Sequence, residues 1–199
     1  TYGSAGQAMG CAIVGDIITD LDLSARPFKA KGDSGMLYTC DAVILATGAR
    51  AKWLGLETEE KFKGFGVSAC ATCDGFFYRG QEIVVVGGGN TAVEEALFLT
   101  NFASKVTLVH RRDELRAEKI LQKRLFDNEK VEILWDTALE EILGSDDPQS
   151  VTGVRLKNVK SGDIYDRETH GVFIAIGHKP STDVFKGHVK MNDGGYIET

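Results

Sequence analysis

An apolar strand that runs directly into a glycine-rich loop and then into a helix is the feature that most constrains this chain. Residues 81–86 read as a strand, and residues 91–103 repeat apolar side chains at helical spacing. Between them, Gly87-x-Gly89-x-x-Ala92 fits the pattern G-x-G-x-x-G/A, in which glycines let a pyrophosphate approach the backbone at a helix start. The alternative is a plain glycine-rich turn. The loop predicts a dinucleotide site formed by Gly87, Gly88, Gly89, Asn90, Thr91 and Ala92.

The segments after this loop predict an α/β fold. Strand-like runs at 105–110 and 131–135 flank a second helical pattern at 117–126, which completes β-α-β-α-β, half of a doubly wound parallel sheet. Short strands at 139–143, 151–159 and 164–165 are separated by turn residues and indicate a β-meander crossover. Residues 172–177 form another apolar run that ends in glycine. We therefore expect a Rossmann-like, three-layer domain.

Two upstream segments carry weaker expectations. Residues 42–46 are continuously apolar and end at Thr47-Gly48, which is typical of a strand buried on both faces. Residues 57–63 are highly charged, and we expect a mobile stretch there, after a domain boundary near residues 50–55.

The end of the second strand predicts which dinucleotide binds. NAD sites carry an acidic residue there for the ribose 2′-hydroxyl, whereas this chain has His110, Arg111 and Arg112, with Arg116 four residues beyond. Guanidinium groups bind a 2′-phosphate that a carboxylate would repel, so the pattern favours NADP. The alternative is a solvated basic turn in which Arg112 or Arg116 pairs with a neighbouring acid.

The chain has four cysteines, and two of them form a C-x-x-C pair, Cys70 and Cys73. Such a pair is either a redox dithiol or half of a zinc site. A structural zinc site needs four ligands, and no second pair exists, so redox chemistry is favoured. Asp74 could move the proton that a thiol gains or loses, or it could simply cap a turn. We expect Cys11 and Cys40 to be small buried hydrophobes.

Charge and hydropathy exclude several classes of protein. There are 23 Lys and Arg against 29 Asp and Glu, a net charge of −6, which argues against a nucleic-acid surface. No apolar run approaches the roughly 20 residues that span a bilayer, and the first residues do not resemble a signal peptide. We expect a cytoplasmic protein.

Residues 68–75, 87–92 and 110–113, in this order and spacing, resemble the low-molecular-weight thioredoxin reductases of bacteria, and residues 46–49 and 175–180 support the resemblance. It implies a homodimer that binds NADPH and FAD and reduces thioredoxin, with Cys73 facing the flavin, Cys70 attacking the thioredoxin disulfide and Asp74 as proton donor and acceptor. It places NADPH at the glycine-rich loop with its 2′-phosphate on His110, Arg111, Arg112 and Arg116. The segments before and after the domain contribute Ala46, Thr47 and Gly48 on the FAD side and Ile176 and Gly177 on the NADPH side.

The chain departs from that family at both ends. A complete member closes with a Gly-Asp segment that contacts the flavin, and residues 196–199 do not contain it. A complete member begins with its own strand and G-x-G-x-x-G loop for FAD, and no such loop occurs here. We expect an internal fragment: residues 1–51 and 179–199 as parts of an FAD domain that holds FAD weakly or not at all, and residues 52–178 as the NADPH domain with the dithiol. The alternatives are a related flavoprotein that reduces a peroxiredoxin-type partner, and a redox-inactive NADP(H)-binding module.

Overall fold

The computed structural model describes residues 11–198, which form two compact units. The larger unit runs from Ala51 to His178. The smaller unit combines the residues up to Arg50 with those from Lys179 onward. None of the helices in residues 11–198 has the length and apolar character needed to cross a membrane.

A parallel sheet of five strands forms the centre of the larger unit. Its strands lie in the order β5 (Val67–Ser68), β12 (Gly171–Ala175), β6 (Glu82–Gly87), β7 (Lys105–Val109) and β8 (Val131–Leu134). Two helices connect its inner strands: α3 (Asn90–Leu99) follows β6, and α4 (Lys119–Phe126) follows β7. Two shorter helices precede them, α1 (Glu57–Lys61) and α2 (Ala71–Asp74), and a 3₁₀ helix (Gly75–Tyr78) continues α2.

The opposite face of this sheet is covered by an antiparallel meander of β9 (Thr137–Asp146), β10 (Gln149–Asn158) and β11 (Ile164–Glu168). Successive side chains of β6 alternate between the two faces, as strand geometry requires. Ile83 and Val85 pack among the helices, while Val84 and Val86 pack against the meander. This arrangement of helices, parallel sheet and meander confirms the predicted three-layer α/β class.

The smaller unit contains a three-stranded antiparallel sheet of β1 (Ile18–Asp22), β2 (Phe28–Gly32) and β3 (Leu37–Cys40). The strands β4 (Ala49–Ala51) and β13 (His178–Pro180) lie where the chain passes from one unit to the other, and a 3₁₀ helix (Asp183–Phe185) follows. Few of its side chains are buried; Leu21 and Phe185 are the apolar ones among the described residues.

The predicted buried strand at 42–46 is wrong. The segment has no regular secondary structure, and the side chain of Ile44 is 92% exposed. The reason is that none of the described strands pairs with this segment and no described residue covers Ile44, so its apolar side chain has no layer to pack against.

The expectation of a mobile charged stretch at 57–63 is also wrong. Helix α1 forms there, and Glu59 is only 2% exposed. The buried carboxylate is stabilised because it accepts hydrogen bonds from the backbone N–H groups of Leu54 (3.0 Å) and Gly55 (2.9 Å). Phe62, next to the helix, is buried in the core beneath the meander. Cys11, expected to be buried, is exposed, and Cys40 is half-buried.

Candidate functional site

The glycine-rich loop joins β6 to α3, and close packing explains its small residues. A side chain at Gly87 would place its Cβ 2.4 Å from the carbonyl oxygen of Ala175 and 2.6 Å from the Cβ of Ala92. Ala92 is itself fully buried, so anything larger there would push helix and sheet apart. At Gly89, by contrast, a Cβ would meet nothing within 4 Å, which means that this side of the loop is open.

Helix α3 begins at this open side. The first helical hydrogen bond runs from the N–H of Val93 to the carbonyl of Gly89 (3.2 Å). The N–H groups of residues 90–92 therefore have no partner within the helix, and the helix dipole adds partial positive charge. A phosphate is the ligand that such a helix start binds. The side chain of Asn90 faces elsewhere: its Oδ1 accepts the N–H of Glu118 (2.8 Å) at the start of α4.

His110, at the end of β7, supports the loop and does not offer a charge. Its ring is 6% exposed and lies directly against Gly88, where an added Cβ would come within 2.1 Å of it. Its Nε2 donates to the carbonyl oxygen of Glu114 (3.0 Å). Burial lowers the pKa of His110, so the ring is neutral at neutral pH. The placement of the 2′-phosphate on His110 stays a prediction, and a neutral ring would offer the phosphate no positive charge.

The three arginines after β7 differ in position. Arg111 and Arg116 line the cleft beside the glycine-rich loop, and the backbone N–H of Arg116 donates to the carbonyl of Gly88 (2.8 Å). Arg112 is exposed and does not line it. None of the three forms an ion pair with another residue in the range 11–198, in contrast to the solvated pairing considered from sequence; Asp113 pairs with Lys160 instead.

Most of the residues predicted to bind NADPH line a cleft of about 590 Å³. The ends of β6, β7 and β12 open into it, as expected at the carboxyl edge of a parallel sheet. Asn90, Ala92 and Arg112 do not line it. The predicted residues that do are Gly87, Gly88, Gly89, Thr91, His110, Arg111, Arg116, Ile176 and Gly177.

The cysteine pair lies at the start of α2 in the same unit. Cys70 and Cys73 form a disulfide with Cα atoms 5.3 Å apart. The hydroxyl of Ser68, at the end of β5, accepts the N–H of Cys70 (3.0 Å) and holds the turn that starts the helix. Cys73 is exposed and Cys70 is half-buried, so another molecule can reach the pair. The part of the chain that the structure describes contains no cluster of three or more metal-ligating side chains.

Asp74 follows Cys73 directly and is half-buried. Its charge adds to the effect of burial in raising the pKa of Tyr78, one turn further on. Next to it, Phe76 and Phe77 are 61% and 73% exposed. Neither residue was predicted from sequence as part of the site, although two adjacent phenylalanines directly after a redox motif indicate an apolar contact there.

Glu95, on α3, is a second residue that the sequence analysis missed. It occupies the helix beside α2, and its Oε2 atom is buried without a hydrogen-bond partner among the described residues. Burial raises its pKa to about 7, and the backbone N–H of Ala71 opposes that shift. No pattern in the sequence separates this glutamate from its exposed neighbour Glu94.

The disulfide lies outside the cleft, at helix α2, which packs against α3. Gly75, just after α2, packs against Leu99 at the end of α3, where an added Cβ would be 2.8 Å from the Leu99 side chain. The cleft lies at the first turn of the same helix, and neither Cys70 nor Cys73 is among its lining residues.

The predicted FAD-side residues, Ala46, Thr47 and Gly48, line a wide groove of about 1170 Å³ in the smaller unit. Within 11–50 and 179–198, no strand is followed by a glycine-rich loop and an α-helix. These residues therefore do not fit a flavin site by themselves.

Comparison with known proteins supplies the context for this site. A family model described as pyridine nucleotide-disulphide oxidoreductase matches residues 12–199. The thioredoxin reductase of Rickettsia conorii is 58% identical over 191 residues, which cover 96% of this chain and 62% of that protein. That of Vibrio cholerae is 58% identical over 185 residues, 92% of this chain and 57% of that protein.

Solved structures agree with these relatives. The thioredoxin reductase from Giardia duodenalis superimposes with a TM-score of 0.85 at 37% identity, over 98% of this chain and 63% of that one. The enzyme from Streptococcus pyogenes gives a TM-score of 0.82 at 41% identity, over 98% of this chain and 63% of that one. The chain thus spans less than two thirds of the length of these relatives.

Proposed function

The chain belongs to the pyridine nucleotide-disulphide oxidoreductase family, and we propose that it is the central part of an NADPH-dependent thioredoxin-disulfide reductase. One observation carries the proposal: an accessible C-x-x-C disulfide and a cleft lined by a glycine-rich loop and two arginines occur in the same compact unit. Electrons would pass from NADPH to FAD, then to the Cys70–Cys73 disulfide and finally to thioredoxin. By the same resemblance we propose a cytoplasmic homodimer.

NADPH supplies two electrons as a hydride when it is bound. The backbone of Gly87, Gly88 and Gly89 would let its pyrophosphate approach the start of α3. Arg111 and Arg116, which have no ion-pair partner in the described chain, would hold the 2′-phosphate. FAD is implied by the family resemblance alone, because the described residues of the smaller unit do not by themselves fit a flavin.

The thiol chemistry follows from Cys70, Cys73 and Asp74. After two electrons open the disulfide, the Cys70 thiolate attacks one sulfur of the thioredoxin disulfide and the other sulfur leaves as a thiolate. The Cys73 thiolate then attacks the Cys70 sulfur, which restores the internal disulfide and releases reduced thioredoxin. Asp74, adjacent to Cys73, would accept and return the proton that separates a thiol from its thiolate. The exposed Phe76 and Phe77 would contact the protein partner.

Of the alternatives, a redox-inactive module leaves the accessible disulfide and the neighbouring carboxyl without a role. A peroxiredoxin-reducing flavoprotein would use the same residues, and nothing in the described residues favours it over a thioredoxin reductase.

Cofactor selectivity tests the first half of the proposal. We expect the chain to bind NADPH more tightly than NADH in calorimetric titrations. Arg111→Gln should weaken NADPH binding by about tenfold and leave NADH binding unchanged, because a guanidinium–phosphate contact contributes over 1 kcal/mol. Arg112→Gln is the matched control, since this side chain lies outside the cleft, and its loss should be smaller. Equal affinities for the two nucleotides in the unaltered chain would contradict the proposed NADPH preference.

Trapping of the mixed disulfide tests the second half. The chain with Cys73→Ser keeps only Cys70 of the pair, and it should form a stable disulfide with thioredoxin, detectable by mass spectrometry under non-reducing conditions. Cys70→Ser, the control, should trap far less. Efficient trapping by Cys70→Ser alone would assign the attack to Cys73, which is the more exposed cysteine. No trapping by either variant would refute thioredoxin as the partner.

A further inference from the structure

A lysine outside the cleft connects the arginine turn to the meander. Lys160 lies in the turn between β10 and β11, and its Nζ is 3.0 Å from Asp113 and 3.0 Å from Asp136. Asp113 directly follows Arg111 and Arg112, whereas Asp136 lies between β8 and β9. We call this set the Asp113–Lys160–Asp136 bridge.

Backbone hydrogen bonds reinforce the bridge at Asp136. The N–H of Asp136 donates to the carbonyl of Arg112 (3.1 Å), and its carbonyl accepts the N–H of Val159 (2.7 Å). Asp136 has a φ of 50°, the only positive value at a residue other than glycine within 11–198. Such a conformation has a cost for a side-chain-bearing residue, which indicates that surrounding contacts hold it.

The carboxylate of Asp136 is 18% exposed, whereas the side chains of Lys160 and Asp113 are 62% and 70% exposed. An isolated exposed ion pair contributes little to stability. Here the bridge has a different consequence, because one end is anchored in the protein and the other end is the turn that carries Arg111. A guanidinium binds a phosphate well only when its planar group is held in the right orientation.

We propose that Lys160 and Asp136 are positioning residues that hold the Arg111–Arg112 turn, and that they thereby set the preference for a dinucleotide with a 2′-phosphate on its adenosine ribose. The inference rests on the proposed function, because it concerns the same cleft. Neither residue lines the cleft, so both act through the turn.

The test is calorimetric titration of the unaltered chain and its variants with NADP⁺ and with NAD⁺, which differ only by the 2′-phosphate. Lys160→Met should weaken NADP⁺ binding by about three- to fivefold, the range of one anchored ion pair, and leave NAD⁺ binding unchanged. Lys160→Arg should restore the affinity for NADP⁺. Asp136→Asn, which removes the carboxylate but tolerates a positive φ, should weaken NADP⁺ binding as Lys160→Met does.

Lys157→Met is the control for net charge, since Lys157 lies on β10 and pairs with Glu140 at 4.0 Å, not with a residue of the bridge. It should leave the ratio of the two affinities unchanged. Asp113→Asn separates positioning from simple electrostatics: positioning predicts weaker NADP⁺ binding, and combination with Lys160→Met should add no further loss.

Three results would overturn the inference and leave the proposed function intact. An unchanged ratio in Lys160→Met would show that the bridge does not act on specificity. A parallel loss of NADP⁺ and NAD⁺ binding would indicate a general structural role. Tighter NADP⁺ binding in Asp113→Asn would mean that Asp113 only repels the phosphate. If the unaltered chain binds NADP⁺ and NAD⁺ with equal affinity, the proposed NADPH preference is refuted, and this inference with it. That result distinguishes failure of the proposed function from failure of the inference alone.

Discussion

Two apolar runs that look alike have opposite fates in this molecule. The run at residues 172–177 contains most of β12 (Gly171–Ala175), which pairs in parallel with both β5 and β6 and is buried along its whole length. Residues 42–48 also end in glycine, yet they form no strand, and Ile44 is almost fully exposed. The difference lies in the neighbours, because β12 has a strand on each side and a layer on each face.

The comparison extends to the two units. In the larger unit, buried apolar side chains form a cluster on each face of the parallel sheet. In the smaller unit, large apolar side chains such as Ile17, Met36 and Leu37 are more than half exposed. An exposed apolar set of this size is typical of a surface that another polypeptide segment covers.

Hydrogen exchange should show the largest difference between the two runs. We expect the amides of Val172–Ala175 to exchange only through global unfolding, and those of residues 42–47 to exchange close to the rate of an unstructured peptide. The two rates should differ by about four orders of magnitude or more. No backbone N–H of residues 42–47 donates a hydrogen bond to any described residue, which gives the physical reason. Comparable protection in both runs, measured by mass spectrometry, would break the comparison.

Truncation of one side chain in each run should give the next largest difference. Phe173→Ala should lower the free energy of unfolding by about 3–5 kcal/mol, because the ring is fully buried and meets Tyr78 edge to face, with centroids 5.3 Å apart. Ile44→Ala, the matched variant, should change it by less than about 0.5 kcal/mol. Urea unfolding followed by tryptophan fluorescence measures both. A substantial loss in Ile44→Ala would show that the exposed run contributes to the fold after all.

The local patterns that the sequence predicted well are those that fold within a short stretch of chain. The strand, glycine-rich loop and helix at residues 81–103 needed only neighbouring residues, and the predicted elements formed within a few residues of their expected bounds. The run at 42–46 failed because a buried strand depends on partners far away in sequence. The prediction of a mobile stretch at 57–63 failed for a related reason. The charge of Glu59 indicated exposure to solvent, whereas two backbone N–H groups stabilise its carboxylate in the interior.

The candidate site divides in the same way. The sequence predicted the glycine-rich loop, the arginines and the cysteine pair, since residue type and spacing define each of them. It did not reveal that His110 is buried under Gly88, or that Asn90 faces Glu118. It also gave no indication of the bridge from Lys160 to Asp113, 47 residues apart, because only the fold brings the meander beside that turn.

The two units also differ in how they shift the pKa of a carboxyl group. In the larger unit, burial raises the pKa of Glu95 to about 7. In the smaller unit, Asp22 is exposed, and hydrogen bonds donated by Ser24 lower its pKa. The folded-state pKa of Glu95 lies above its ordinary value of 4.5, so its protonated form stabilises the fold below pH 4.5, and this contribution is lost as the pH rises through 7.

The smallest expected effect is therefore a pH dependence confined to the larger unit. Glu95→Gln cannot ionise, so at pH 8 it should be more stable than the unaltered chain by about 1 kcal/mol, a figure reduced for the partial exposure of this carboxyl. That corresponds to a rise of about 2–4 °C in Tm, while at pH 5 the two proteins should melt together. Asp22→Asn is the control: the lowered pKa of Asp22 places its titration below this window, so any difference from the unaltered chain should stay constant between pH 5 and 8. Thermal unfolding at several pH values measures all three proteins. A constant offset for Glu95→Gln across that range would mean that this carboxyl titrates normally, and that close packing in the larger unit does not extend to the helix beside the disulfide.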